Sequence, residues 1–374
     1  MRNSKIIFFF ILLSGMISRY SHGEELTLYI GTGGKKAEGI YRTSFNEQTG
    51  RFSDVSLAAK INAPGFLTAH PSLNCLYAVA RWKNQAGVVG YKIGKDQKLE
   101  EFTRKVCPDG MGCHLAVHPS GKFLLTTQYG GGSVGFFPLN EKGELNKPTI
   151  FEHSGGSKVF GTRQDSPHPH WCGYSPCGKF ALIPDLGLDQ IVLYRIDLEE
   201  IKMSPHRIAR SRTGGGPRHM RFSTNEKWIY LLNELSLSVE VFSWDSKLGE
   251  AKCISESPTL TEPEKIGESF NSAAEILAHP SGKWIYSSNR GHDSVTVFST
   301  NPDGSLKVLQ KQPIRGAFPR NINLTPSGNW LLAAGQDSNT ITAHRVDPVS
   351  GKLTYQRGSI INVPQPICLF FLKK

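Results

Sequence analysis

The chain has 374 residues, with 43 Lys and Arg against 32 Asp and Glu and a formal net charge of +11. This length suffices for two ordinary domains or for one large repetitive domain. The basic residues are scattered and form no patch interleaved with aromatic side chains, so the composition does not indicate a nucleic-acid-binding protein.

The first 23 residues have the pattern of an export signal. Arg2 and Lys5 precede an apolar run at 6–17, and small residues follow it. The run is too short to cross a bilayer as a helix, although an N-terminal membrane anchor is the alternative. We expect residues 1–23 to be cleaved and residues 24–374 to be periplasmic or secreted, without stable membrane insertion. Cleavage would leave 40 basic against 32 acidic residues, which suits an anionic small substrate or a polyanionic surface.

The rest of the chain repeats one unit about every 50 residues: an apolar strand, a tight turn, and a second apolar strand that ends in polar residues. The six turns visible in the sequence are His70–Ser72, His118–Lys122, Ser175–Lys179, Ser223–Lys227, His279–Lys283 and Thr325–Asn329. The first strands are predicted to begin near Pro64, Gly112, Pro167, Gly216, Ala273, Phe318 and Pro364. A third strand follows each second strand, and many short strands at regular spacing predict a β-propeller.

The two chain ends complete the repeat. Pro364–Leu372 resembles a first strand with nothing after it, whereas Leu26–Gly31 and Gly39–Asn46 resemble a second and a third strand. A blade shared between the termini would close the ring and leave no free sheet edge. The predicted fold is therefore all-β: a single-domain, seven-bladed β-propeller with one blade closed by both chain termini.

Polar side chains concentrate where first strands begin and second strands end. In an antiparallel hairpin these two points share one edge, so seven hairpins place them on one face of the molecule. The residues concerned include Cys113, His114, Tyr129, His168, His170, Asp185, Arg218, His219, Asn233, Glu234, Glu275, Asn289, Arg290, Arg320 and Asn321. We expect a binding site at this mouth of the channel; the alternative is that these groups only hydrogen-bond neighbouring blades.

Five motifs carry a resemblance to a known family. They are His168-Pro169-His170, Pro184-Asp185-Leu186-Gly187, Gly216-Pro217-Arg218-His219, Asn233-Glu234-Leu235 and Ser288-Asn289-Arg290-Gly291. Together, in this order, they resemble the seven-bladed lactonase family, which includes propeller-type 6-phosphogluconolactonases and the fungal carboxymuconate-lactonizing enzyme. The likeness runs from about Tyr29 to the C-terminus. The family usually has His-Ala-His where this chain has Pro169.

The resemblance implies a catalytic set of His170, Arg218, Glu234 and Arg290. Arginine forks suit an anionic substrate and a developing oxyanion. Either His170 or Glu234 can activate water, and His170 can later act as an acid. The predicted substrate-binding residues around this set are His168, His219, Asn233, Glu275, Asn289, Arg320 and Asp185.

The sequence thus favours an exported lactonase that opens an anionic sugar lactone, a small molecule, without a metal or other cofactor. Two alternatives remain: a propeller that binds a protein or glycan at the same mouth, and a carboxymuconate-type cyclase. Cys113, His114 and His118 could suggest a zinc site, but no second Cys/His pair has zinc-ligand spacing. Seven Cys leave the disulfide pairing open, with small buried positions expected for Cys75 and Cys368. The oligomeric state is also left open.

Overall fold

The computed structural model describes residues 25–372, so the predicted export signal lies outside the described residues. This part of the chain is almost entirely β-structure, with one five-residue helix, α1 (Glu262–Ile266), and one 3₁₀ turn (Gly161–Arg163). The strands up to residue 185 are β1 (Glu25–Thr32), β2 (Gly39–Asn46), β3 (Arg51–Phe52), β4 (Ser56–Lys60), β5 (Asn62–Ala69), β6 (Cys75–Trp82), β7 (Gln85–Ile93), β8 (Leu99–Val106), β9 (His114–Val117), β10 (Phe123–Gln128), β11 (Ser133–Pro138), β12 (Thr149–Glu152), β13 (Gly173–Tyr174) and β14 (Phe180–Asp185).

The remaining strands continue the same alternation of short apolar segments and polar turns. They are β15 (Gln190–Asp197), β16 (Lys202–Arg210), β17 (Pro217–Phe222), β18 (Trp228–Asn233), β19 (Ser238–Asp245), β20 (Glu250–Pro258), β21 (Ser272–Ala278), β22 (Trp284–Arg290), β23 (Ser294–Thr300), β24 (Leu306–Pro313), β25 (Pro319–Leu324), β26 (Trp330–Gly335), β27 (Thr340–Val346), β28 (Leu353–Asn362) and β29 (Pro366–Phe371).

These strands form seven antiparallel sheets, which confirms the predicted propeller. Blades 1 to 6 are the consecutive groups β5–β8, β9–β12, β13–β16, β17–β20, β21–β24 and β25–β28. Blade 7 has the order β29-β1-β2-β3, with β4 also pairing with β2. Its inner strand comes from the C-terminus, and Ile30 of β1 lies opposite Leu369 of β29. Both ends of the described chain therefore contribute to one blade.

The core lies between adjacent blades. Seven apolar clusters fill the interfaces between successive blades, and the cluster around Leu28, Phe371 and Trp330 joins blade 7 to blade 6. Because a middle strand such as β14 has a neighbouring blade on each face, all six of its residues are buried. Outer strands such as β16 are largely exposed. This explains why the middle strands read as continuous apolar runs.

The repeated turns tie each blade to the next. The Nε2 atom of His118 lies 2.9 Å from the carbonyl oxygen of Gly178, and His70 and His279 make the same contact with Gly121 and Gly328 at 3.1 Å. Each of the three bonds crosses from one blade to another. The turn histidines therefore belong to the scaffold, at the end of the channel opposite the polar strand ends.

Blade 3 departs from the sequence prediction. Its first strand was expected to begin near Pro167, but β13 comprises only Gly173–Tyr174. Proline lacks an N–H group and cannot donate to a strand ladder, and Pro169 makes only an isolated bridge with Asp185. His168 and His170 consequently lie in an extended segment just before the strand.

All seven cysteines are free, and Cys75 and Cys368 are buried, as expected. Within residues 25–372, no helix has the length and apolar character needed to cross a membrane.

Candidate active site

The channel widens into a cavity of about 240 Å³ at the end where the inner strands begin. We call this the upper cavity. Its wall comes from blades 1, 2, 3, 4, 6 and 7 and consists of Gly65, Phe66, Met111, Gly112, Cys113, His170, Arg218, His219, Arg320 and Ile367. The polar part of this wall is made of two guanidinium groups and two imidazoles. Three of these four residues begin an inner strand, as the sequence pattern predicts.

β-Bulges place the two arginines. In blade 4, Pro217 pairs with Asn233 and His219 pairs with Leu232, so Arg218 has no partner in the ladder. Blade 6 has the same arrangement, and there Arg320 is the residue without a partner in the ladder. A bulge turns a side chain out of the regular alternation, and here both arginine side chains reach the upper cavity.

Glu234 is buried among three guanidinium groups. Its Oε2 atom accepts a hydrogen bond from Nε of Arg218 at 2.9 Å and lies 3.1 Å from a terminal nitrogen of Arg290. Its Oε1 atom accepts a hydrogen bond from Arg163 at 2.5 Å. Burial raises the pKa of this carboxyl, but Arg290 and Arg218 outweigh that effect and hold the pKa well below its usual range. Glu234 is therefore a fixed anion that holds the arginines in place.

Arg290 completes this cluster. It donates a hydrogen bond to the carbonyl oxygen of Ala273 at 2.8 Å, and its guanidinium lies 5.3 Å from the ring centre of Phe318. Burial lowers the pKa of Arg290 to about 9. The four residues of the predicted catalytic set thus come together: His170 and Arg218 line the upper cavity, and Arg218 connects it to Glu234 and Arg290.

Arg320 differs from the other arginines of this region. Among residues 25–372, no carboxylate forms an ion pair with it and no acceptor bonds its side chain, although it lines the upper cavity. Burial and the nearby charge of Arg218 lower the pKa of its guanidinium. An unpaired, partly buried cation in a cavity wall is suited to binding an anionic ligand.

Two neutral imidazoles face the arginines. Burial lowers the pKa of His170 and of His219 far below the usual value, and the charge of Arg218 acts in the same direction. The two ring centres are 5.3 Å apart. At neutral pH both rings therefore have a nitrogen that is free to accept a proton.

A layer of aromatic rings closes the floor of the upper cavity. The ring of His114 lies 4.2 Å from that of Phe66 and 5.4 Å from that of His219, measured between centres. Beyond this layer the channel opens again into a larger, mostly apolar cavity of about 400 Å³, the lower cavity. Its one arginine, Arg221, forms an ion pair with Glu275 at 3.0 Å. The lower cavity therefore offers no unpaired arginine to an anionic ligand, whereas the upper cavity does. The upper cavity is the candidate site.

The other predicted binding residues serve the scaffold. Asp185 accepts hydrogen bonds from the backbone amides of His168 and Gly187 and lies 2.7 Å from Nδ1 of His153. Asn233 and Asn289 are fully buried and bond side chains of their own blades, at Glu240 and Thr296 respectively. The structure does not bring these three residues to the cavity.

His168, also predicted to bind substrate, lies outside the cavity wall. It stacks on Tyr129 with ring centres 4.4 Å apart, and its Nδ1 atom lies 2.7 Å from the carbonyl oxygen of Tyr129. It therefore helps to fix the position of Tyr129.

Arg163 is a site residue that sequence reasoning missed. It lies in the long connection between β12 and β13, where it bonds Glu234 and also the hydroxyl of Tyr129 at 3.2 Å. No propeller motif contains it, because it belongs to a loop and not to a repeated strand. In the sequence, the unusual length of that connection was the feature that could have indicated a functional loop. The described residues contain no group of three or more His, Cys, Asp or Glu side chains placed to hold a metal ion.

Comparison with known proteins supports the architecture. The 6-phosphogluconolactonase of Bacillus subtilis is 30% identical over 348 residues, which are 92% of this chain and 97% of the relative. A crystal structure from Bacteroides fragilis shares 29% identity at a TM-score of 0.85 and covers 94% of this chain and 99% of its own. The periplasmic gluconolactonase of Pseudomonas aeruginosa, at 24% identity and a TM-score of 0.86 over 94% and 99% of the two chains, has the same fold.

The family match spans nearly all of the described residues. Residues 27–371 match the family described as lactonase, 7-bladed beta-propeller. The chain therefore belongs to the lactonase family of seven-bladed β-propellers.

Proposed function

We propose that this lactonase hydrolyses the cyclic ester of an anionic sugar lactone, such as 6-phosphogluconolactone, in the upper cavity. One observation carries the proposal: three arginines, 163, 218 and 290, bond a single carboxylate, that of Glu234, and a fourth, Arg320, lines the cavity without a carboxylate partner among the described residues. The imidazoles of His170 and His219 are neutral and leave this positive charge unchanged. The excess of positive charge in a buried site favours a ligand that brings negative charge with it.

The size of the site supports a small substrate. Sites for drug-sized ligands span roughly 300–1,000 Å³, and the upper cavity, at about 240 Å³, lies just below that range. This suits a molecule of monosaccharide size. A cavity of this size offers little contact area to a protein partner, which would need a broad exposed surface.

The same groups suit ester hydrolysis. Attack of water on the lactone carbonyl creates an oxyanion, and Arg218 has N–H donors beyond those that it gives to Glu234 and Ala274. Arg320 is the proposed partner of the substrate's phosphate or carboxylate. Water activation needs a base. Both carboxylate oxygens of Glu234 are already bonded to arginines, so an imidazole of the cavity wall is the better candidate.

The test is a lactone screen with purified protein. Acid release from 6-phosphogluconolactone, from uncharged gluconolactone and from a carboxylated lactone would be followed against spontaneous hydrolysis, with and without a chelator. We expect the charged lactones to be opened fastest and the chelator to have no effect, because arginines supply the positive charge. No rate above background on any of the three would contradict the proposal.

We also propose that the protein acts outside the cytoplasm after loss of residues 1–23. Mass spectrometry of the protein recovered from its native host should show a chain that starts near residue 24. An intact N-terminus on cytoplasmic protein would refute this part of the proposal.

A further inference from the structure

Glu275 holds a buried carboxylate at the boundary between the two cavities. Its Oε1 atom accepts hydrogen bonds from Arg221 at 3.0 Å and from the amide of Ile276 at 3.1 Å, and it lies 2.9 Å from Nδ1 of His219. Its Oε2 atom accepts a hydrogen bond from Asn321 at 2.7 Å. Four donors from blades 4, 5 and 6 thus fix one carboxylate in one orientation.

This arrangement fixes the tautomer of His219. A carboxylate beside Nδ1 requires the proton on that nitrogen, so the neutral ring has its lone pair on Nε2. No group in the described part of the chain bonds Nε2 of His219. The ring lines the upper cavity, beside Arg218 and Arg320, and not the lower one. Nε2 is thus a free acceptor at the arginine-lined wall.

The other candidate bases are less well arranged. Glu234 is neutralised by three arginines, as described above. The Nδ1 atom of His170 has only the sulfur of Cys113 near it, at 3.9 Å, and no carboxylate within residues 25–372 bonds its ring. A carboxylate behind an imidazole both orients the ring and stabilises the imidazolium that forms. Among the described residues of the upper cavity, His219 alone has such a partner.

We propose that His219, oriented by Glu275, is the general base of this lactonase, an inference that rests on the function proposed above. Nε2 takes a proton from water while the water oxygen bonds to the lactone carbonyl carbon, and the carbonyl electrons move onto the oxygen that faces Arg218. The carbonyl then re-forms, the bond to the ring oxygen breaks, and His219 returns its proton to that oxygen. The products are those of adding one water to the lactone. Glu275 and Asn321 are positioning residues.

Two substitutions with opposite charge effects test the proposal through the pH profile of kcat/KM, which falls in acid as the base becomes protonated. Glu275→Gln removes a negative charge beside His219, so we expect the acid limb to move to lower pH and kcat to fall about tenfold to a hundredfold with little change in KM. Arg221→Met removes a positive charge from outside the upper cavity, so the limb should move to higher pH. Arg207→Gln, an exposed outer-strand change, is the control.

His219→Gln should lower kcat by a factor of roughly 10²–10⁴, the usual contribution of a general base. The other charged and titratable groups around His219 are Arg218, Arg290, Arg320, His114 and His170, and all remain in these variants. If the wild type hydrolyses lactones but neither charge substitution moves the acid limb, or if His219→Gln stays active, His219 is not the base and the proposed function still stands. If the wild type hydrolyses no lactone, the proposed function itself fails.

Discussion

At the scale of single residues, the arginines of the upper cavity have two different roles: some are paired with a carboxylate and hold the structure, and one is free to bind an anion. Arg218 and Arg290 are held by Glu234, whereas Arg320 is partly buried and has no partner in residues 25–372. A charge-assisted hydrogen bond contributes roughly 1.5–3 kcal/mol. We therefore predict that Arg320→Gln raises KM for 6-phosphogluconolactone about tenfold to a hundredfold, but leaves KM for uncharged gluconolactone within threefold.

Initial rates over a range of substrate concentrations check this prediction. The exposed Arg207→Gln, which removes the same charge from an outer strand, is the matched control and should change neither KM. An equal loss of affinity for the charged and the uncharged lactone would show that Arg320 supports the cavity without selecting the anion.

Residue positions along the repeat could be predicted from the sequence, but side-chain partners could not. Arg218 and Arg320 begin inner strands in the repeat pattern, and the structure places both at the cavity. Asn233 and Asn289 occupy equally regular positions, yet they bond inside their blades. The repeat pattern predicts at which end of the channel a residue lies. The bulges that turn Arg218 and Arg320 into the cavity have no clear sequence signature.

At the scale of elements, the connection between β12 and β13 brings Arg163 to the site. Its guanidinium bonds Glu234 and Tyr129 and is 37% exposed, so its charge adds little to stability. We predict that Arg163→Gln lowers kcat/KM about tenfold, because Glu234 and Tyr129 lose their shared donor, while the melting temperature changes by no more than about 2 °C.

Steady-state kinetics and thermal melting of the same preparation measure both quantities. Lys158→Gln, an exposed change on the same loop, is the control and should behave as the wild type. A large drop in melting temperature with unchanged kcat/KM would make Arg163 a structural clamp and not part of the site.

At the scale of the whole molecule, the propeller keeps many histidines buried and neutral. Burial lowers the pKa of the turn histidines 70, 118 and 279, of the channel histidines 114, 170 and 219, and of His344, for which it falls to about 4. In the unfolded chain these rings titrate near 6.5. Below that pH the unfolded chain binds more protons than the folded one, so stability decreases as the pH falls.

We predict that the melting temperature drops by about 5 °C or more between pH 7.5 and pH 5. Acid favours the unfolded chain, because its histidines are protonated more easily than those of the folded protein. Thermal unfolding at constant ionic strength would follow this. His344→Gln should flatten part of the dependence, and the exposed Arg207→Gln, which removes no histidine, should not. A melting temperature that stays constant or rises toward pH 5 would refute the prediction.

The fold itself could be predicted at this scale because the signal is repeated. Turns such as His118–Lys122 and His279–Lys283 recur in the same place in successive blades, and the missing seventh hairpin required the pairing of β1 with β29. The prediction was wrong only where local chemistry interrupts the repeat, as at the two prolines before β13. Arg163 lies in the 153–172 loop, which is not part of the repeat, so the repeat pattern could not predict its place in the site.

The central claim, lactone opening at the arginine cluster of the upper cavity, is tested most directly by one comparison. The initial rate of acid release from 6-phosphogluconolactone, corrected for spontaneous hydrolysis, would be measured for the wild type and for Arg218→Ala, with the fold of each checked by circular dichroism. We predict a clear wild-type rate and a loss of about 10²–10³-fold in the variant, the usual effect of removing an oxyanion donor. A folded Arg218→Ala variant with the wild-type rate would contradict the claim.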